Sequence, residues 1–223
     1  FVKKRKNSFD MLEMSTRTHS NSALEQPRGK QFGVDIFDLF GTTKLPNLNA
    51  RIPTVVIRMA DYLFKTKGHL KEGIFRIAPE QTECAIVMKQ LDEGTFTHCE
   101  DVHCVANCMK VWFRSLPQPL INQTLLELIA EREEKETFED VLTKGLEEPN
   151  LSLLQWLLKF LSKVAKHEKV NRMSAKNLAI VFSPNLVEVI KVEAISASGS
   201  VTSFLEESIC NLMKRKKSVL EDE

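Results

Sequence analysis

The chain has 223 residues, 43% of them hydrophobic and 27% charged, which is typical of a globular protein. Its formal net charge is +1, so no global charge excess points to nucleic acid or to a membrane surface as a partner. No apolar run reaches the roughly 18 residues that a membrane-spanning helix needs. The five cysteines lack the pattern of a small secreted domain, which favours reduced thiols in a cytoplasmic compartment.

The first 30 residues differ in composition from the rest of the chain. They begin with a basic run from Lys3 to Lys6 and continue rich in Ser, Thr and Asn. Such a segment buries too little apolar surface to offset the entropy of ordering it, so 1–30 is predicted to be a tail or linker. The basic run is most simply a solvated segment. Three functional alternatives are a nuclear-import signal, weak contact with an anionic membrane surface, or a kinase site at Ser8.

Helical periodicity begins after this tail. A helix is predicted from Pro53, with Gly68 as its stop signal, and a second one over 80–92 that ends near Gly94. The single tyrosine and the scarcity of alternating Val, Ile and Thr argue against an all-β design.

The segment 101–120 predicts an amphipathic helix in more detail. Asp101 is a candidate N-cap, and Pro117 is expected to stop the helix. Apolar residues recur every three or four positions along one side. The opposite side carries one polar row: His103, Asn107, Lys110 and Arg114.

The second half of the chain continues the helical pattern. A short helix is predicted over 121–131, and a long one from Asn150 is apolar over much of its circumference, so it should be central in a bundle. Ser174 is expected to cap the next helix and Pro184 to break it, which would leave Asn185 just past its end. The small residues at 194–200 suggest a loop before a last helix over 201–217. The expected fold is therefore an all-α, single-domain helical bundle over 31–218, with a C-terminal tail at 219–223.

A zinc site or a thiol enzyme is one functional hypothesis for residues 98–108. Two histidines and three cysteines crowd this segment: His98, Cys99, His103, Cys104 and Cys108. Structural zinc sites usually use two short ligand pairs separated by a loop, and the spacing here does not match. The cysteines fit better as small packed side chains, so no metal site is predicted. Sequence signatures of nucleophilic, nucleotide-loop or dinucleotide chemistry are also missing.

Polar residues beside apolar scaffolding form a second candidate group. Arg76 lies between apolar neighbours in KEGIFRIAPE, while Lys110 and Arg114 lie one turn apart, and Asn185 follows Pro184. Each has an ordinary structural explanation: a paired arginine, a solvated helix face and an asparagine at a helix end. Spacing alone therefore leaves a shared site undecided.

Three ordered motifs together resemble the RhoGAP domain, the GTPase-activating domain for Rho-family small GTPases. They are KEGIFRIAPE from Lys71, KVWFRSLPQPL from Lys110, and NRMSAKNLAIVFSPNL from Asn171, with FGV at 32–34 and IPTVV from Ile52 resembling the family's opening. The resemblance covers about 32–218. It implies an all-helical domain that places Arg76 as an arginine finger supplied in trans, with no bond-making chemistry and no cofactor of its own, since GTP and magnesium belong to the partner.

The resemblance also assigns roles around Arg76. It implies that Lys110 contacts the switch surface of the GTPase and that Arg114 braces the Arg76 loop (residues 71–79) or the interface. Asn185 would hydrogen-bond the partner's switch region, and Asn177 belongs to the same GTPase-binding set with a structural role. The Arg76 loop departs from the family's pattern by continuing Ile77-Ala78-Pro79, which could make it stiffer or re-aim it.

The expected partner is a GTP-bound Rho- or Rac-family GTPase, bound by a monomer in the cytoplasm, with no nucleic acid. Membrane recruitment would come from regions outside this chain. The alternative is a non-activating module of the same fold that binds a small GTPase or a phosphoinositide; the presence of Arg76 argues against it.

Overall fold

The computed structural model describes residues 29–39, 42–45, 51–133, 135–187 and 193–218, with side chains of the last helix described over 199–214. The basic run at 3–6, Ser8 and the predicted C-terminal tail at 219–223 lie outside the described residues.

The described chain is a helical bundle with one small sheet, which confirms the predicted all-α fold. The helices are α1 Thr54–Lys65, α2 Gln81–Glu93, α3 Val102–Arg114, α4 Gln123–Ala130, α5 Phe138–Gly145, α6 Asn150–Ala165, α7 Glu168–Asn171, α8 Ala175–Leu186 and α9 Glu193–Ser218. Short 3₁₀ helices cover Ile36–Asp38 and Gly68–Leu70. Strands β1 Thr42–Lys44 and β2 Arg51–Pro53 pair antiparallel, with Thr43 opposite Ile52. Among the helices of the described ranges, none combines the length and apolarity needed to cross a bilayer.

Local capping chemistry sets several helix ends where the sequence predicts them. The Asp101 carboxylate accepts from the N–H of His103, and the Ser174 hydroxyl accepts from the N–H of Asn177. Gly94 ends α2 with φ +72°, a conformation that glycine adopts at little cost. These caps satisfy backbone groups that a helix end leaves without partners.

The core lies around α6, which packs against α8 and α9. Leu154, Leu157, Leu158 and Leu161 of α6 are completely buried, as the apolar circumference of this helix predicts. Helix α3 packs against α1, α2 and α8, and Lys110 of its polar row reaches the segment that joins α1 to α2, while Arg114 meets α8. That placement brings the three motifs together.

The predicted break at Pro184 is wrong. Helix α8 includes Pro184 and ends at Leu186, so Asn185 lies in its last turn rather than past it. A proline inside a helix costs about 3 kcal/mol. Leu178, Phe182 and Leu186 are fully buried, and their packing holds this segment helical despite that cost.

The predicted loop at 194–200 is also wrong, because α9 begins at Glu193 and runs through it. Alanine is the best helix former and serine is only moderately unfavourable, so small residues do not by themselves stop a helix. Val201 and Leu205 of the same helix are buried in the core and fix its direction.

Candidate functional site

The Arg76 loop forms a compact turn between the 3₁₀ helix Gly68–Leu70 and α2. The N–H groups of Arg76 and Ile77 both donate to the carbonyl of Gly73, at 2.8 and 2.9 Å. Gly73 has φ +67° and Phe75 has φ +69°. A left-handed conformation costs a non-glycine residue about 1–2 kcal/mol, so Phe75 must be held there by other contacts.

The Phe75 side chain supplies that hold. It is 1% exposed, and its ring meets Phe160 edge-on at 5.9 Å and Phe182 at 5.1 Å between centroids. Burying such a ring contributes about 2–3 kcal/mol, enough to offset the backbone strain. Ile74 is also fully buried, so the two residues before Arg76 anchor the loop in the core.

Arg76 itself is exposed on this anchored backbone. Within the described ranges, its guanidinium makes no hydrogen bond and no ion pair. A guanidinium is planar, permanently charged and carries five N–H donors. An exposed and unpaired group of this kind is suited to an anion that another molecule brings.

The loop leads directly into α2. Pro79 is buried, and the Glu80 carboxylate caps α2 by accepting from the N–H groups of Thr82 at 2.9 Å and Glu83 at 2.7 Å. Hydrogen bonds from these amides lower the pKa of Glu80. The Ala78-Pro79 departure therefore joins the loop to a capped helix.

Lys110 reaches the same loop from α3. Its Nζ donates to the carbonyl oxygen of Phe75 at 2.6 Å. Burial of the ammonium group, followed by repulsion from Arg114, lowers the pKa of Lys110. The hydrogen bond that braces the Arg76 loop from α3 thus comes from Lys110, whereas the family pattern suggested Arg114 for that task.

Arg114 and Asn185 are paired across α3 and α8. The Nη1 of Arg114 donates to Oδ1 of Asn185 at 3.3 Å, and Nδ2 of Asn185 donates to the carbonyl of Val181 at 2.8 Å. Arg114 is exposed, while Asn185 is 8% exposed. The two predicted residues therefore form one polar unit at the junction of these helices.

Asn177 supports the turn before α8. Its Nδ2 donates to the carbonyl of Arg172 at 3.1 Å, and Arg172 has φ +59°. A side chain that satisfies this carbonyl stabilises a conformation that arginine seldom adopts.

Asn171 is a residue that sequence reasoning missed. Its carbonyl accepts from the N–H of Gly73 at 2.8 Å, and the residue is completely buried. The third motif starts at this asparagine, but spacing gave no signal for it, because a fully buried asparagine cannot be told from a surface one in the sequence.

The cysteines of the metal hypothesis are buried in the α2–α3 region. Cys104 and Cys108 are fully buried, and burial raises the pKa of the Cys108 thiol to about 12. In the part of the chain that the structure describes, no group of three or more His, Cys, Asp or Glu side chains converges as metal ligands do. The neutral thiol dominates at Cys108, and it is a poor nucleophile and a poor ligand.

Comparison with known proteins identifies the family. The RhoGAP domain model matches residues 53–190. The chain is 35% identical over 172 residues to Rho GTPase-activating protein gacA of Dictyostelium discoideum, covering 76% of this chain and 49% of that protein. It is 31% identical over 167 residues to Rho GTPase-activating protein 4 of Arabidopsis thaliana, covering 74% of this chain and 38% of that protein. The chain therefore belongs to the RhoGAP domain family, and it spans less than half the length of these two relatives.

Solved structures share the fold. Human Rho GTPase activating protein 15 superposes with a TM-score of 0.61 at 21% identity, covering 71% of this chain and 81% of that chain. The BH domain of GRAF, the GTPase regulator associated with focal adhesion kinase, gives a TM-score of 0.59 at 22% identity, covering 72% of this chain and 94% of that chain.

Proposed function

We propose that this chain stimulates GTP hydrolysis by a Rho-family small GTPase and that Arg76 acts in trans as its arginine finger. The observation that carries the proposal is the exposed guanidinium of Arg76, unpaired among the described residues, on a backbone that the buried side chains of Ile74 and Phe75 anchor from the preceding side. Family membership supplies the class of partner. The chain itself makes and breaks no covalent bond, since the nucleotide and its magnesium ion belong to the GTPase.

The chemistry of GTP hydrolysis explains why an arginine is needed. Negative charge spreads over the transferring phosphoryl oxygens and the leaving group as the bond to the γ-phosphate breaks. A guanidinium offers parallel donors to those oxygens and stays protonated at any physiological pH. An arginine supplied in trans accelerates hydrolysis by about 10³–10⁵-fold, which corresponds to about 4–7 kcal/mol of barrier.

The contacts that order the Arg76 loop place the arginine before the GTPase binds. The Phe75 ring is packed in the core, and the backbone carbonyl of Phe75 accepts a hydrogen bond from Lys110. The N–H of Gly73 donates to the backbone carbonyl of Asn171. The backbone at Arg76 is therefore ordered before the partner arrives, so little ordering entropy remains to be lost at the moment of reaction.

The pair of Arg114 and Asn185 is proposed as a second contact with the GTPase. Its position at the α3–α8 junction leaves the Arg114 guanidinium open to solvent. The switch segments of a GTPase are ordered by the γ-phosphate, so binding should favour the GTP-bound form. Asn177 supports this face indirectly through the turn at Arg172. We further propose that one copy of the domain engages one GTPase in the cytoplasm.

Single-turnover GTP hydrolysis with Rho- and Rac-type GTPases tests the proposal. Wild-type protein should accelerate at least one of them, and Arg76→Ala should remove about 10³-fold or more of that acceleration. Arg76→Lys should recover little, because an ammonium cannot reproduce the bidentate geometry. Arg51→Ala, which removes another exposed arginine, is the matched control and should retain wild-type stimulation.

Binding to the GTPase loaded with a non-hydrolysable GTP analogue separates the alternatives. Arg76→Ala should bind within a few-fold of wild type. A wild-type protein that binds but accelerates no GTPase would instead be a non-activating module. Stimulation that survives Arg76→Ala would refute the finger assignment.

A further inference from the structure

We propose that Asn171 is a positioning residue for Arg76: its buried amide fixes the backbone carbonyl that holds Gly73, and Gly73 in turn sets the backbone of Arg76. This role rests on the proposed function of Arg76. It assigns Asn171 no contact with GTP or with the GTPase.

Gly73 is the hub of the Arg76 loop. Its N–H donates to the carbonyl of Asn171 at 2.8 Å, while its own carbonyl accepts from the N–H of Arg76 at 2.8 Å. One residue, Gly73, and two hydrogen bonds therefore connect Asn171 to Arg76. A shift of the Asn171 carbonyl is passed to Arg76 through the backbone, without passing through any flexible side chain.

The side chain of Asn171 fixes where that carbonyl lies. Its Nδ2 donates to two carbonyls, His69 at 2.9 Å and Val164 at 2.9 Å, and its Oδ1 accepts from the N–H of Met173 at 2.8 Å. Both donors and the acceptor are thus used in a completely buried setting. These bonds tie the end of α7 to the 3₁₀ helix that precedes the Arg76 loop and to α6 behind it.

The turn after α7 is held by hydrogen bonds that do not involve Asn171. The hydrogen bonds of the Asn171 side chain are therefore not needed merely to form that turn. The N–H of Arg172 donates to Glu168 at 2.9 Å, and its carbonyl accepts from Asn177. The Nδ2 bonds of Asn171 lead away from the turn, to the two elements that lie beside the Arg76 loop. These bonds fix the position of α7 relative to the Arg76 loop.

Asn171 and Lys110 hold two points that are two residues apart. Lys110 binds the carbonyl of Phe75, and Asn171 binds the N–H of Gly73. With both bonds made, the turn that carries Arg76 is fixed at its start and at its middle. Without the side-chain bonds that fix the Asn171 carbonyl, that carbonyl and the Gly73 amide bound to it can move. A displacement of about 1 Å in a reacting group can reduce a rate by about 100-fold.

Turnover measured separately from binding tests the positioning role. Asn171→Ala should lower the saturating single-turnover rate by about 10- to 100-fold, with GTPase affinity changed less than about twofold. Thr137→Ala, which removes the capping box of α5, is the matched control for a general loss of stability, and its saturating rate should equal wild type. All variants are assayed at a temperature where circular dichroism shows them folded. A wild-type rate for Asn171→Ala, or a loss confined to affinity, would overturn the proposal.

Amide hydrogen exchange of Gly73 gives a second test that needs no GTPase, and its wild-type measurement needs no variant. In the wild-type domain the Gly73 amide should exchange at least about 100-fold more slowly than an unprotected amide, although neighbouring loop residues are exposed. Where Asn171→Ala folds, this protection should fall while α6 amides remain protected. Free-peptide exchange at Gly73 in the wild type would overturn the proposal. If no GTPase were stimulated but Gly73 were protected, the proposed function would fail while the hold on the loop would stand.

Discussion

Lys110→Met distinguishes a brace of the Arg76 loop from a contact with the GTPase. The substitution keeps most of the aliphatic side chain and removes the ammonium that donates to the Phe75 carbonyl at 2.6 Å. If Lys110 acts on the loop, the variant should lose turnover and keep affinity. If it contacts the partner's switch surface, as the sequence motif suggests, affinity should fall first.

The structure sets the size of the effect. A hydrogen bond from a charged donor contributes about 1.5–3 kcal/mol, and the desolvation that lowers the pKa of Lys110 offsets part of it. A net contribution of about 1.4–2.8 kcal/mol corresponds to a factor of about 10–100 in the population of the correctly placed loop. The saturating single-turnover rate should fall by up to that factor, with affinity for the GTPase changed less than threefold.

Single-turnover hydrolysis at saturating domain, together with fluorescence titration of a GTPase carrying a non-hydrolysable analogue, measures both quantities. Lys89→Met is the matched control, because Lys89 is exposed on α2 and pairs only with Glu93 at 3.8 Å among the described residues. Affinity that drops tenfold for Lys110→Met while the saturating rate is unchanged would refute the loop-bracing reasoning.

Three further predictions concern other parts of the domain. Asn185→Ala should weaken GTPase binding by about 5- to 30-fold, the loss of one or two hydrogen bonds, with the saturating rate nearly unchanged; a fall in that rate instead would place Asn185 in the chemistry. Cys108 should resist a thiol reagent at pH 8 until the protein unfolds, because it is fully buried with a pKa raised to about 12; rapid labelling of this residue in the native protein would contradict the packing. Arg132→Met should cost at most about 1 kcal/mol at pH 7, since its carboxylate partner Glu207 is partly exposed. The hydrogen bonds from Arg132 lower the pKa of Glu207, so in urea unfolding the difference between variant and wild type should shrink below about pH 4.3, leaving the part due to the Arg132 Nε bond to the Glu136 carbonyl; a difference that is as large at pH 2 as at pH 7 would contradict the ion pair.

The sequence by itself determined the helical fold and the class of protein. Periodic apolar residues, Asp101 and Ser174 as caps and Gly94 as a stop are local signals, and local signals depend on residues within a few positions of each other. The motifs around Arg76, Lys110 and Asn185 sufficed to select the candidate site and the family, because three ordered motifs rarely coincide by chance.

Local rules failed where packing outweighed them. Proline is a strong helix breaker, yet Pro184 lies inside α8 because the residues around it are buried in the core. The small residues at 194–200 lie inside α9, whose later turns bury Val201 and Leu205. In both segments the deciding free energy comes from contacts distant in sequence.

Only the tertiary structure decided which polar residue serves which task. Lys110 and Phe75 are 35 positions apart in the sequence, and Asn171 and Gly73 are 98 positions apart. Spacing could therefore not show that Lys110 and Asn171 hydrogen-bond the backbone of the Arg76 loop. The same holds for Arg114 and Asn185, which meet across two helices. A motif can indicate that an arginine matters, but the direction of its side chain depends on backbone hydrogen bonds and buried rings contributed by distant parts of the chain.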